Sequence, residues 1–275
     1  MAVKTKTKTK PKKKPKSKAG LSDKSKIIIT VSAILTVFIV FLISVMLLAS
    51  SLRSSSKELV ELNKDVAYGI DVSHHNGDIN WETVKNEVDF AFIRVGFRGY
   101  TDGEIHSDTK AKYNLNNANK NGIPTGVYFY SQATNDDEAK EEAEFLLKRI
   151  KGYDISLPVV IDFEYPYKDG KPVGRLNDAN LSKREITNII NEFCDEVEDA
   201  GYTPAVYASS YIFKYHINMN KLDDDIMIWV ADYNKEVTYG GEYDFWQFSE
   251  KGKCEGVSSK YVDTNYWYIN KEDNN

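Results

Sequence analysis

Four acidic side chains stand where apolar runs give way to polar chain: Asp71 in Tyr68-Gly69-Ile70-Asp71-Val72-Ser73, Asp162 and Glu164 in Val160-Ile161-Asp162-Phe163-Glu164, and Asp263 in Tyr261-Val262-Asp263-Thr264-Asn265. Asp162 and Glu164 are the most informative. In an extended strand, positions i and i+2 point to one face, which sets their carboxyls about 6–7 Å apart on adjacent pleats. Carboxylates that close raise one another's pKa, and one kept protonated near neutral pH can hand its proton to a leaving oxygen. Two carboxyls flanking a scissile bond are what glycoside hydrolysis requires. An isolated Asp or Glu more often caps a helix or pairs with Lys or Arg. A pair that directly follows an apolar strand is unfavourable to bury unless the strand end opens on a cleft. Asp232, after the run Ile226–Ala231, is the reserve candidate should Asp263 face elsewhere.

Other chemistries are less well supplied. His74 and His75 follow Asp71 and invite a zinc site, but adjacent histidines rarely converge on one ion and no third ligand motif follows. No metal or other cofactor is therefore expected, and His75 is placed in the wall of the cleft. Cys194 and Cys254 have neither CxxC nor metal-ligand spacing, and their pairing stays open. The net charge of −5 conceals an asymmetry: residues 1–26 hold eleven Lys against Asp23, or +10, which leaves −15 on the rest. So acidic a domain is ill suited to a phosphate backbone, and nucleic acid is excluded as a partner.

Eight apolar runs must position these residues: Ala67–Val72, Phe90–Val95, Thr125–Tyr130, Leu157–Phe163, Thr203–Ala208, Ile226–Ala231, Asp244–Phe248 and Lys260–Asp263. Several, such as Pro158-Val159-Val160-Ile161, are nearly continuous, as suits strands buried on both faces. Helical patterns lie between them. One starts at Ser182, where Ser182 and Glu185 form a capping box and Ile186, Ile189, Ile190, Phe193 and Val197 mark one face. Another runs from Asn135 with Ala139, Ala143, Leu146, Leu147 and Ile150 inward. Eight strands in about 210 residues fit an α/β fold of the closed β/α barrel kind, irregular and TIM-like, with fewer helices than strands. The last three strands leave almost no room for helices. Function then belongs at the carboxyl ends of the strands.

Several separate segments resemble family 25 of the glycoside hydrolases, the Chalaropsis-type lysozymes. They are Gly69-Ile70-Asp71-Val72-Ser73 with Gly77-Asp78-Ile79-Asn80-Trp81, Phe90-Ala91-Phe92-Ile93-Arg94, Gly126-Val127-Tyr128-Phe129-Tyr130, Ile161-Asp162-Phe163-Glu164, Ile228-Trp229-Val230-Ala231, Trp246-Gln247-Phe248-Ser249 and Val262-Asp263-Thr264-Asn265. They occur in the family's order over residues 68–269. The resemblance implies cleavage of the β-1,4 bond between N-acetylmuramic acid and N-acetylglucosamine in peptidoglycan. It casts Glu164 as the general acid, Asp162 as the partner that stabilises positive charge or orients the substrate's acetamido group, and Asp71 and Asp263 as supporting carboxylates. Tyr128-Phe129-Tyr130 departs from the aromatic-His-aromatic pattern common in the family, and the polar loop from Tyr165 to Gly174 is longer. Tyr128, Tyr130, Tyr207, Trp229 and Trp246, near strand ends, are candidates to stack on sugar rings.

Ahead of this domain, residues 1–26 form a low-complexity Lys-Thr and Lys-Pro tract expected to be a disordered arm. Residues 27–52 carry no charge, and the apolar run of 23 residues from Ile27 to Ala49 is long enough to cross the hydrocarbon layer. A signal-peptide core is only about 7–15 residues, which favours an anchor over a cleaved leader. The lysine excess before it puts the N-terminus in the cytoplasm and residues 67–275 outside, beyond a stalk at 53–66. The expected partners are glycan strands of the wall and membrane lipid. Two competing readings are a wall-binding tether without catalysis and a metal-dependent deacetylase or amidase.

Overall fold

The structure is a computed structural model that describes residues 35–44 and 59–269. The chain divides into two units, Met1–Leu52 and Arg53–Asn275. In the first, residues 35–44 are helical with exposed side chains. Among the described residues no helix is long and apolar enough to cross a membrane. The remainder of the expected span 27–52, the whole arm 1–26 and the start of the stalk lie outside the described residues.

Eleven strands form in the second unit: β1 (Val66–Val72), β2 (Phe90–Arg98), β3 (Ile105–Ser107), β4 (Thr125–Ser131), β5 (Val159–Phe163), β6 (Tyr167–Lys168), β7 (Lys171–Pro172), β8 (Pro204–Ser209), β9 (Met227–Ala231), β10 (Phe245–Gly252) and β11 (Val262–Tyr268). Eight of them close a barrel in the order β1-β2-β4-β5-β8-β9-β10-β11, with β11 returning to β1. Each apolar run expected to be a strand contributes one. The barrel is mixed: six successive pairs are parallel, while β11 runs antiparallel to both β10 and β1. This reversal falls among the last three strands, where the barrel was expected to be irregular. Only residues 253–261 separate β10 from β11, too few for the crossover a parallel return requires. The short edge strand β3 and the β6–β7 hairpin were not foreseen.

Alternation along the strands sorts side chains into two cores. Ala67, Phe90, Phe92, Tyr128, Val160, Tyr207, Trp229, Phe245 and Trp267 pack as one buried cluster inside the barrel. There the Phe92 and Trp229 rings stack at 4.4 Å and Phe245 and Trp267 at 5.4 Å. Gly126 is required beside them, because a Cβ there would lie 2.2 Å from the Phe92 ring. The intervening residues, including Ile70, Ile93, Val127, Ile161, Val206 and Val230, face the helical layer. That layer comprises α1 (Trp81–Val84), α2 (Ala111–Lys120), α3 (Asp136–Ile150), α4 (Arg175–Asp178), α5 (Lys183–Asp199) and α6 (Ser210–Tyr215). Asn135 caps α3 and the Ser182–Glu185 capping box starts α5, as the sequence signals require. At the amino ends of the parallel strands, Leu59, Val60 and Leu62 pack against the interior cluster, and Val60 N donates to Ser156 O at 3.0 Å. The opposite end stays open.

Candidate active site

The open end is a cavity of about 750 Å³, and all four carboxylates named from the sequence line it. Their positions follow from strand parity. Asp71 continues the inward set of Ala67 on β1, Asp162 and Glu164 that of Val160 on β5, and Asp263 that of Trp267 on β11. Asp263 is not at the end of its strand but second from its start. Because β11 runs backwards, that position sits opposite Asp71 in the ladder and at the same mouth. Tyr128, Tyr130, Tyr207, Trp229 and His75 also line the cavity.

Trp246 is not brought to it. Its ring lies on the outer side of β10 against Phe248 and Tyr266, and its Nε1 donates to Asp232 O at 2.7 Å. Asp232 is likewise away from the mouth. Its carboxylate accepts from Ser210 Oγ (2.6 Å), Thr238 N and Oγ1 (2.8 and 2.7 Å) and Asn234 Nδ2 (2.6 Å). These bonds outweigh its desolvation and hold its pKa well below the usual range. Its task is to shape the loop after β9, which leaves Asp263 as the cavity carboxylate.

Four acids around one cavity cannot all be ionised at neutral pH. Burial pushes Glu164 up to about 7, with the Asp71 charge adding to it and Arg94 opposing. Burial and the Asp71 charge lift Asp263 to about 8. Asp71, also buried, reaches about 6, because Asn265 Nδ2 and Gln247 Nε2 each donate to its Oδ2 at 2.9 Å and favour the anion. Asp162 rises furthest above the ordinary range, through burial and then the Glu164 charge. Its Oδ1 is buried and has no hydrogen-bond partner among the described residues. A buried carboxyl oxygen left without a partner disfavours the anion, in the same direction as the raised pKa.

Residues that were not singled out hold this arrangement. Gln247 links the two sides of the mouth: Tyr207 and Tyr233 hydroxyls donate to its Oε1 at 2.8 and 2.7 Å, which turns its Nε2 toward Asp71. Arg94, next inward after Phe92, donates from Nε to Asp108 Oδ2 at 3.0 Å, and His74 Nδ1 lies 2.7 Å from Arg94 Nη2 and 3.0 Å from the same Asp108 oxygen. His74 is thereby held between Arg94 and Asp108, and the His75 ring lies tilted against it at 4.0 Å. Gln132, fully buried after β4, donates from Nε2 to the Glu164 carbonyl at 2.9 Å. Its own carbonyl accepts from Arg175 Nη1 at 2.9 Å, and Arg175 is bidentate to Glu138 on α3. The inward parity of Arg94 and Gln247 was the available signal. Nothing local in the sequence marks Gln132.

The profile of the glycosyl hydrolases family 25 matches residues 70–257, more than half of the chain. The chain belongs to glycosyl hydrolase family 25. Among curated proteins, lysozyme M1 of Streptomyces globisporus is 28% identical over 211 residues, which are 72% of this chain and 66% of that enzyme. Among solved structures, the modular autolysin LytC of Streptococcus pneumoniae, determined in complex with a synthetic peptidoglycan ligand, superposes with a TM-score of 0.62 at 28% identity. It is matched over 76% of this chain and 48% of its own, so the present chain spans about half of that autolysin. A family 25 glycosyl hydrolase from Bacillus anthracis shares the fold, with a TM-score of 0.60 at 24% identity over 80% of this chain and 96% of the other. The family 25 match begins inside β1 and ends before β11, so it takes in Asp71, Asp162 and Glu164 while Asp263 lies beyond it.

Proposed function

We propose that this family 25 chain is a muramidase that hydrolyses the β-1,4 bond between N-acetylmuramic acid and N-acetylglucosamine in peptidoglycan. The observation that carries the reading is the convergence of Glu164 and Asp162 on one open cavity, in surroundings that keep a proton on the cluster at neutral pH. The peptidoglycan ligand of the pneumococcal autolysin, a relative at 28% identity, supports the choice of polymer.

Glu164 is the general acid. With its pKa near 7 it is substantially protonated at neutral pH. As the C–O bond breaks, its proton passes to the leaving glycosidic oxygen. Positive charge then develops at the anomeric carbon, and Asp162, losing its proton to cavity water, is favoured as an anion beside that cation; it takes a proton back once water has quenched the charge. Asp162, which lines the cavity, is also suited once ionised to accept the N–H of the substrate's acetamido group. Water completes the reaction and returns a proton to Glu164. Burial, and then the charge of Asp71 locked by Gln247 and Asn265, keep Glu164 protonated.

The proposal extends to placement. An uncharged segment at 27–52 holds the chain in the membrane, with the Lys-rich arm on the cytoplasmic side against anionic lipid and the hydrolase domain facing the wall. The test is incubation of the detergent-solubilised full chain with purified sacculi. New reducing ends on muramic acid are expected, insensitive to chelator and abolished in Glu164→Gln. A wild-type blank, or cleavage on the N-acetylglucosamine side, overturns the assignment.

A further inference from the structure

A group of exposed tyrosines stands beside the cavity and takes no part in it. Tyr167, Tyr211 and Tyr215 are 65%, 58% and 58% exposed. Tyr211 and Tyr215 come from the first and last turns of α6, with ring centroids 5.0 Å apart. His216 lies 5.4 Å from the Tyr211 ring, and Tyr165 lies 5.6 Å from His216. Tyr165 in turn packs edge-on against the buried Phe163 at 6.1 Å, so the patch is fixed to the end of β5. Its phenol is pushed up by burial and then by the adjacent Tyr167 and Tyr211 hydroxyls, which places Tyr167 in the same group. Continuity with the cavity is covalent: Glu164 and Pro166 line it, while Tyr165 and Tyr167 alternate with them and face the patch.

We propose that this tyrosine patch is a second glycan-binding surface, which holds saccharide units of the wall polymer outside the cavity in which the bond is cut. The inference rests on the muramidase reading for its polymer, though not on the catalytic roles. These large rings touch one another and His216 and leave more than half of their surface to water. Around them stand Lys168, Lys183 and Lys214 rather than exposed aliphatic side chains, which is unlike the apolar centre of a protein interface. A sugar offers what the patch can use, an apolar C–H face for a ring and hydroxyls for the phenolic edges and lysines. A wall glycan is long, and a chain emerging past Pro166 meets Tyr165 and Tyr167 first, then Tyr211 and Tyr215. Holding the strand there raises the local concentration of scissile bonds without altering the chemical step.

The test combines Tyr211→Ala with Tyr215→Ala in the full chain, both substitutions being at exposed positions. Binding is measured in a Glu164→Gln background by co-sedimentation with sacculi and with long glycan strands freed of stem peptide. The expected loss is about tenfold in affinity for both, from two aromatic stacking contacts. Turnover of a soluble tetrasaccharide, too short to leave the cavity, is expected to stay within about twofold when Glu164 is intact. Tyr211→Trp with Tyr215→Trp should restore binding. Unchanged sacculus binding overturns the proposal, as does an equal loss of tetrasaccharide turnover, which would put the tyrosines in the catalytic cleft or the fold. Loss confined to sacculi that keep their stem peptides also overturns it, because the patch would then read peptide. If wild-type chain binds through the tyrosines but produces no reducing ends, the muramidase reading falls and the binding surface stands.

Discussion

In its proposed role Glu164 joins two properties that pull apart, because the burial and the Asp71 charge that keep it protonated also make its anion unfavourable in the folded chain. Its folded pKa of about 7 lies above the ordinary 4.5. Below 4.5 both folded and unfolded chains hold the proton and nothing is lost. Between 4.5 and 7 the unfolded chain releases it first, so stability declines as pH rises. Glu164→Gln is therefore expected to lower kcat by about a thousandfold or more with KM within a few-fold, since proton delivery disappears while volume is kept. The same variant should be more stable than wild type by about 1–2 kcal/mol above pH 7, after discounting for partial exposure, and by nothing near pH 4. Thermal melts at the two pH values check it, and a variant less stable at high pH contradicts the electrostatic account. Wild-type kcat, read on a soluble substrate, should fall along an alkaline limb with an apparent pKa near 7. A flat profile to pH 9 would remove Glu164 from the role.

At the scale of elements, β5 presents the acid and the pair β4–α3 aims it. The bond from Gln132 Nε2 to the Glu164 carbonyl ties the residue after β4 to the turn that leaves β5, while Arg175 and Glu138 hold Gln132 in place. Gln132→Met keeps the bulk and removes the donor. We expect kcat to drop about tenfold to a hundredfold with KM within twofold, the signature of a misaimed group and not of a lost contact to substrate. Wild-type kcat in that variant would show that the bond does not orient the acid. No sequence pattern marks such a link, because its partners are 32 residues apart and the acceptor is a backbone carbonyl. The strands themselves were legible, since each interior residue recurs with period two. The same rule fails at the mouth for a physical reason. There the barrel interior is polar and the outside apolar, so Trp246 and Phe248 pack outward against Tyr266 while Gln247 points in. Reading the large apolar residue as the cavity-facing one therefore selected Trp246 over Gln247. Asp263 was found in spite of strand direction: an antiparallel β11 presents its start, not its end, to the rim.

For the whole molecule the decisive feature is polarity of charge, +10 on residues 1–26 against −15 on the rest. An acidic hydrolase is repelled by an anionic lipid surface, whereas a lysine arm is drawn to it, at about 1 kcal/mol per lysine near the headgroups. Electrostatics alone would then hold the chain by a contact that salt releases. In the proposed placement the uncharged 27–52 segment adds a different kind of hold, because withdrawing some twenty apolar residues from hydrocarbon is opposed whatever the ionic strength. Within the second unit, the chain entering at Leu59 packs across the amino ends of the strands, so it does not obstruct the mouth. Deleting residues 1–52 should accordingly move the protein from the membrane to the soluble fraction. Turnover of a soluble fragment should remain within about twofold, because each residue of the proposed chemistry belongs to the second unit. The full chain should stay with membranes through 1 M salt and alkaline carbonate washes and leave only with detergent. Release by salt would assign retention to the lysine arm alone and refute the spanning segment, and loss of turnover on truncation would show that the barrel depends on the first unit.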